Sequence, residues 1–272
     1  MSLSGSADRQ SRIGCASVLA ADPSDRRSPN LHSTRALVIG NGADLDAGFV
    51  GHRFRERGYA FTECHREAPG EWPDPDTVEL VLTLGSEWNV YDPATAELVE
   101  QEAAFTRRVL AADVPLFAIC FGAQVLAHAL GATVERIDQP EIGWFDVTPT
   151  TAGAGIIGDV ADKEARPPTI AAGPWMEWHY DGFDVPSGFD ELARTAAGPQ
   201  LIVGARVLAT QFHPEVTETM VARWLHMGGA EQYRQHGGEP TELLAQTRAN
   251  TELSRPNSAA LVDFFLSEVA HP

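Results

Sequence analysis

The sequence predicts an α/β fold in which a mostly parallel central sheet is flanked by helices and continued by an antiparallel extension. Two observations carry this prediction. In the first half of the chain, short apolar runs end at Gly-containing turns and alternate with helical patterns. In the second half, short strand patterns follow one another with few helical patterns between them. The 272 residues are 43% hydrophobic and 21% charged, as expected for a globular protein with a substantial core.

The first half reads as alternating strands and helices. Residues 36–39 (ALVI) are a buried parallel-strand pattern that ends at Gly40-Asn41-Gly42. Pro93 precedes a helical apolar face, and Gly131 stops a later helix. In chain order the expected strands are 36–39, 61–64, 78–84 and 115–119, and the expected helices are 45–57, 94–112 and 121–130.

The second half favours strands joined by turns. The expected strands are 132–137, 144–148, 191–195, 200–203 and 207–212, and the expected helices are 216–227 and 258–269. Some of these strands are expected to form the antiparallel extension.

Three segments are expected along the chain. Residues 1–33 are rich in Ser, Asp, Arg and Pro without periodicity, which predicts a disordered N-terminal tail. Residues 34–227 form the α/β domain. Residues 228–272 form a helical C-terminal appendage that packs on the core.

Charge and composition exclude several partner classes. Acidic residues number 38 against 20 basic ones, a net charge of −18, so the protein should repel nucleic acid and anionic membrane surfaces. No stretch approaches the roughly 20 apolar residues of a membrane span. We expect neither nucleic acid nor membrane as a partner.

The cysteines point to a cytoplasmic protein with no disulfide framework. They stand singly at positions 15, 64 and 120. No zinc-ligand spacing, phosphate loop or dinucleotide motif occurs, so no metal and no cofactor is expected. Cys64 and His65 are adjacent on a strand and point to opposite faces, which predicts a structural role for both.

Cys120 lies at a predicted strand-to-helix turn within AICFGAQ, where Gly122 allows the close backbone approach that a sharp elbow needs. A helix N-terminus favours the thiolate form of such a residue. Far downstream, His213 and Glu215 follow another apolar run in QFHPE. If both strands share a sheet, their carboxyl ends meet, and a nucleophile, a base and an orienting acceptor come together. Alone, Cys120 reads as a small buried residue, and the other two read as exposed loop residues.

These motifs resemble the class I glutamine amidotransferases, in particular their stand-alone members similar to the GMP synthase amidotransferase. Three further segments share the resemblance: LGSEWNVYD at 84–92, EIGW at 141–144 and WHYDGFDVP at 178–186. The resemblance covers roughly residues 35–227. It implies a flavodoxin-like fold of the class I glutamine amidotransferase type.

The resemblance also implies roles for individual residues. Cys120 would attack the glutamine carboxamide, His213 would accept and return the proton, and Glu215 would hold the imidazole. The implied oxyanion hole comprises Ser86 and Phe121, with Gly85 in the same loop, and the implied substrate-binding residues are Gln124, Trp178, Tyr180 and Asp181.

Three positions depart from the family pattern. Ala118 stands where the family usually has Gly, and Ser86 replaces the second Gly of a pair. Tyr180 replaces a Gly beside the substrate loop, where a bulky ring could narrow the pocket or change its specificity.

The predicted activity is hydrolysis of glutamine to glutamate and ammonia through a γ-glutamyl thioester. The ammonia acceptor is unknown, because the chain shows no recognisable synthetase motif, and a separate synthetase subunit is an expected partner. Two alternatives stay open: a γ-glutamyl peptidase or hydrolase acting on γ-glutamyl amides or peptides, and a non-catalytic regulatory module.

Overall fold

The computed structural model describes residues 34–70, 72–155, 170 and 172–271. The predicted tail at 1–33, including Cys15, lies outside the described residues. The strands are β1 (Thr34–Gly40), β2 (Tyr59–His65), β3 (Leu80–Thr83), β4 (Leu116–Ile119), β5 (Val134–Pro149), β6 (Gly173–Phe183), β7 (Asp190–Thr195), β8 (Gly198–Gly204) and β9 (Val207–Thr210). The helices are α1 (Gly48–Glu56), α2 (Ala96–Ala111), α3 (Phe121–Ala129), α4 (Glu218–Trp224), α5 (Ala230–Gln235) and α6 (Pro240–Phe264).

The strands form one mixed sheet in the order β2-β1-β3-β4-β9-β8-β7-β5-β6. The first five are parallel neighbours, and every pairing from β9 to β6 is antiparallel. The predicted fold class is therefore confirmed. β3, β4 and β9 are buried at every position, which explains their continuous apolar sequences.

The antiparallel half differs in detail from the prediction. The two strands expected at 132–137 and 144–148 are one strand, β5, whose pairing with β6 shifts register between Arg136 and Glu141. That irregularity, which includes Pro140, interrupts the alternating pattern and makes one strand look like two. β6 was not expected as a strand, because buried polar residues interrupt its apolar pattern.

The C-terminal helix is also longer than expected. α6 begins at Pro240 and runs through Pro256, whereas the sequence predicted a helix only over residues 258–269. A single π-helical turn, Phe265–Val269, follows it. The ring of Phe265 is fully buried and lies edge-on to Phe54 and Phe117 at centroid distances of 6.1 and 5.3 Å. The end of the chain thus contributes to the aromatic core beneath the sheet.

Among the described residues, no helix is both long and apolar enough to cross a membrane.

Candidate active site

Cys120 occupies a strained turn between β4 and α3. Its backbone has φ 50° and ψ −109°, a left-handed conformation that is rare for a residue with a side chain. A Cβ added at Gly122 would lie 2.7 Å from the backbone oxygen of Thr83, so only glycine lets the start of α3 approach β3 this closely. The chain thereby holds the thiol at the carboxyl edge of the sheet and at a helix N-terminus.

His213 and Glu215 reach the same edge from the neighbouring strand. β4 and β9 are parallel partners with Ile119 opposite Thr210, so the chain leaves both strands at one level. His213 Nδ1 donates to Glu215 Oε1 across 2.7 Å. A Cβ added at Gly85 would lie 2.9 Å from His213 Cε1 and 3.6 Å from Cys120 Cβ. The imidazole and the thiol therefore flank the same glycine, and a side chain there would displace the ring.

The surroundings of His213 favour its charged form. Burial favours the neutral ring, but the Glu215 carboxylate and the Cys120 sulfur outweigh that effect and hold the pKa of His213 well above its usual range. Its Nε2 is buried and makes no hydrogen bond within the described part of the chain. The ring can therefore carry a proton on Nε2 that is available to a group entering the site.

The loop at Gly85-Ser86 is held from behind by Arg66. The Arg66 guanidinium donates to the backbone oxygens of Gly85, at 2.7 Å, and Leu84, at 2.9 Å. In a trans peptide the C=O and the following N–H point in opposite directions, so this contact aims the Ser86 N–H away from Arg66. Neither Gly85 nor Ser86 has a positive φ, which explains why serine fits where the family has glycine.

Arg66 is a residue that sequence reasoning missed. It is 1% exposed and forms an ion pair with Glu102 of α2 at 3.0 Å, while its guanidinium lies 4.9 Å from the centroid of the Phe121 ring. A fully buried arginine needs several acceptors, and these come from segments distant in sequence. The sequence around Arg66 shows only a charged residue that follows Cys64 and His65, and nothing in it indicates that this arginine is buried.

The residues predicted to bind substrate lie on or against β6. The backbone oxygen of Trp178 is 3.9 Å from Cys120 Sγ. Gln124 Nε2 donates to the backbone oxygen of Asp181 and to Gln211 Oε1, at 3.2 Å each. The Asp181 carboxylate accepts from the Tyr91 hydroxyl at 2.5 Å. Gln124 thus links β6 to the segment that carries His213.

Tyr180 projects toward the C-terminal segment. The Arg136 guanidinium stacks over its ring at 4.5 Å from the centroid, and the ring of His236 lies 5.4 Å away. On the same strand, the ring of Trp178 lies 6.5 Å from that of Tyr233 in α5. Residues beyond 227, expected to form only an appendage, therefore contact two of the predicted substrate residues.

A cluster of buried ionisable groups lies behind β6. His179 Nε2 is 3.1 Å from Glu141 Oε2 and 3.4 Å from Glu177 Oε2. Burial favours the neutral ring, but the two carboxylates outweigh it and raise the pKa of His179 to about 10. Burial raises the pKa of Glu177 to about 7. One atom from each of these three side chains is close enough to the others for the set to hold a metal ion. With a pKa of about 10, however, His179 is an imidazolium at neutral pH, and its protonated Nε2 pairs with the two carboxylates and has no lone pair for a metal.

Cys64 and His65 lie apart from this site. β2, which carries them, is the edge strand, and β1 and β3 separate it from β4. Cys64 is fully buried, whereas His65 is exposed, so the two side chains do point to opposite faces.

Comparison with known proteins agrees with this geometry. The family model for glutamine amidotransferase class-I matches residues 89–226, just over half of the chain. A GMP synthase (glutamine-hydrolyzing) of Xylella fastidiosa strain M12 is 28% identical over 200 residues, which cover 71% of this chain and 35% of that protein. The GMP synthase of Pectobacterium carotovorum strain PC1 is 28% identical over 198 residues, 70% of this chain and 35% of that one. The chain thus spans about a third of the length of these curated relatives.

Solved structures share the fold. A glutamine amidotransferase from Thermotoga maritima superposes with a TM-score of 0.73 at 22% identity, covering 87% of this chain and all of that one. A glutamine amido transferase from Methylobacillus flagellatus has a TM-score of 0.71 at 20% identity, covering 87% of this chain and 95% of that one. The match of the family model over residues 89–226 shows that the chain belongs to the class-I glutamine amidotransferase family.

Proposed function

We propose that this protein hydrolyses the side-chain amide of glutamine to glutamate and ammonia, with Cys120, His213 and Glu215 as the catalytic triad. The observation that carries the proposal is the meeting of a thiol on a strained turn with a buried His–Glu pair at the end of the adjacent parallel strand. The family membership supports the reaction class.

The first half of the reaction forms a thioester. A thiolate on Cys120 attacks the side-chain carbonyl carbon of glutamine, and the carbonyl π electrons move onto oxygen. The Ser86 N–H, aimed by Arg66, and the free N–H of Phe121 at the start of α3 stabilise that oxyanion. The C–N bond then breaks as the His213 imidazolium gives its Nε2 proton to the nitrogen, and ammonia leaves.

The second half regenerates the enzyme. Neutral His213 takes a proton from water, the resulting hydroxide adds to the thioester carbonyl, and the C–S bond breaks to release glutamate and thiolate. Glu215 keeps the Nδ1 proton in place throughout, so Nε2 is the nitrogen that exchanges protons. The raised pKa of His213 suits this cycle, because the imidazolium holds the proton that the leaving nitrogen takes.

The use of the ammonia is a further part of the proposal. Longer relatives, of which this chain matches 35%, are named GMP synthases, which supports a separate synthetase subunit as the partner that consumes it. We propose a cytoplasmic location because cysteines are few in the sequence, at positions 15, 64 and 120. The domain boundaries at residues 33/34 and 227/228 remain predictions.

A second candidate substrate class is γ-glutamyl amides or peptides. The Tyr180 ring, stacked under Arg136 and beside His236, adds an aromatic and cationic surface to the substrate side of β6 that a free glutamine does not require. This surface could instead contact a larger γ-glutamyl compound.

The test is incubation of the purified full chain with glutamine and a panel of γ-glutamyl amides, followed by quantification of glutamate and released amine. The control variants are Cys120→Ser and Cys64→Ser. Turnover that disappears only with Cys120→Ser supports the proposal, and the preferred substrate decides between the two classes. Turnover that survives Cys120→Ser, or absence of turnover with every substrate, would overturn it.

A further inference from the structure

A buried glutamine outside the triad lies against the Cys120 sulfur. Gln211 follows β9 two residues before His213, is 1% exposed, and its Nε2 donates to Cys120 Sγ across 3.5 Å. An amide nitrogen has N–H groups but no acceptor capacity, so it can only give a hydrogen to the sulfur. That contact stabilises a thiolate more than a thiol, because hydrogen bonds to a charged acceptor are about twice as strong as neutral ones.

The orientation of the Gln211 amide is fixed by Gln124. The backbone oxygen of Asp181 can only accept, so the Gln124 atom facing it must be the amide nitrogen. The same nitrogen faces Gln211 at 3.2 Å, so Gln211 must present its oxygen there. Its nitrogen is then left for the sulfur. If the Gln211 amide were flipped, its NH₂ group would face the NH₂ group of Gln124, and its oxygen would face the Cys120 sulfur. Neither contact would then have a matched donor and acceptor.

The Asp181 carbonyl that determines this orientation is itself held. His179 Nδ1 donates to it at 2.9 Å, while the other ring nitrogen lies 3.1 Å from a Glu141 carboxylate oxygen. An unbroken chain of hydrogen bonds thus runs from Glu141 through His179, Asp181 and Gln124 to Gln211 and the sulfur. Every side chain in it is buried, which strengthens each bond.

We propose that Gln211 is a catalytic residue that stabilises the Cys120 thiolate by hydrogen bonding, and that Gln124 is the positioning residue that aims it. The proposal deepens the proposed function, on which it rests for the identity of the nucleophile. Gln211 acts twice in each cycle, since the thiolate is the nucleophile in the first half and the leaving group in the second. Removing the donor should therefore make the thiolate harder to form and slower to expel.

The test measures thiolate formation without substrate. The rate of Cys120 alkylation by iodoacetamide is followed against pH on the folded full chain, with the Cys120 peptide quantified by mass spectrometry. Variants are Gln211→Met, which removes the donor at similar volume, and Gln211→Glu, which adds a negative charge. Thr247→Val is the control, because Thr247 is equally buried but its hydroxyl donates to the backbone oxygen of Leu243 in α6, outside this chain of hydrogen bonds. His213 and His179, whose charges also act on the sulfur, are unchanged in all three.

Gln211→Met should move the pH midpoint of alkylation upward by about one unit, which slows alkylation roughly tenfold at pH values below the wild-type midpoint. Gln211→Glu should move it further, and Gln124→Met should move it in the same direction by less. Thr247→Val should leave it unchanged. An unshifted midpoint in folded Gln211→Met, or equal shifts in Gln211→Met and Thr247→Val, would overturn the proposal, and Gln211→Glu decides if the methionine variant does not fold. A shift in a protein without amidase activity would overturn only the proposed function.

Discussion

Replacing Arg66 by methionine tests how the loop that carries Ser86 is held. Methionine fills much of the space of the aliphatic stem and removes all five N–H donors. The Arg66–Glu102 pair is buried on both sides, with side-chain exposures of 1% and 2%. Removing one partner of such a pair costs about 3–5 kcal/mol of unfolding free energy, because the other charge stays buried and unpaired. For a chain of this size the expected fall in Tm is roughly 6–20 °C.

The double variant Arg66→Met/Glu102→Gln separates stability from catalysis. The Glu102→Gln change removes the charge that Arg66→Met leaves unpaired. In the wild-type protein the Thr83 hydroxyl donates to Glu102 at 2.9 Å, and the amide oxygen of the variant can still accept this hydrogen bond. Much of the lost Tm should therefore return. The rate of glutamine hydrolysis should stay about 10²-fold below wild type, because the Gly85 carbonyl has lost its donor and the Ser86 N–H is no longer aimed.

The assay pairs thermal unfolding by circular dichroism with release of ammonia and glutamate at saturating glutamine. Arg53→Met is the control, since Arg53 pairs with Asp263 at the surface and does not touch the site. It should lower Tm slightly and leave kcat unchanged. If the double variant recovers wild-type kcat together with Tm, other contacts hold the loop and the reasoning from Arg66 is wrong.

Three further variants test the core, the buried cluster and the specificity. Phe265→Ala should lower the free energy of unfolding, measured in urea, by about 3–5 kcal/mol, because its ring is fully buried. The control Leu253→Ala, at a side chain 46% exposed, should change it by less than about 0.5 kcal/mol. Equal effects of the two variants would contradict the assignment of Phe265 to the core. Burial raises the pKa of Glu177 from 4.5 to about 7, so its protonated form adds stability that is complete below about pH 4.5 and lost as pH rises through 7. Glu177→Gln should flatten the fall in unfolding free energy over that interval, and curves parallel to wild type would exclude this. Tyr180→Gly should raise kcat/KM for glutamine relative to γ-glutamyl amides, and a ratio changed by less than about twofold would remove Tyr180 from specificity.

The parallel half of the fold was predictable because its signals are local. A continuous apolar run, a small-residue turn and a helical pattern specify β4, Cys120 and α3 within 15 residues. The meeting of Cys120 with His213 needed one further assumption, that both strands share a sheet, and the parallel register of β4 and β9 supplies it. Neither step depends on a contact between distant side chains.

The rest could not be predicted because it depends on such contacts. β6 does not alternate cleanly between polar and apolar residues, and its buried His179 is paired with Glu141, which lies opposite on β5, and with Glu177. Arg66 is hidden for the same reason, since its partner Glu102 is 36 residues away on α2. Gln211 stood in a recognised motif, but its contact with the thiol follows from an amide orientation that only the structure reveals.

The contacts of Tyr233 and His236 with Trp178 and Tyr180 on β6 bear on how the proposed specificity can change between related proteins. These residues lie outside the range matched by the family model, whereas Cys120, His213 and Glu215 lie within it. Mutations in the C-terminal segment can therefore change the surroundings of Trp178 and Tyr180 without altering the proposed catalytic residues. With the proposed roles, part of the surface that selects substrate lies outside the stretch that carries the triad, so a chimera that exchanges residues 230–238 between relatives is expected to change selectivity while it preserves the reaction.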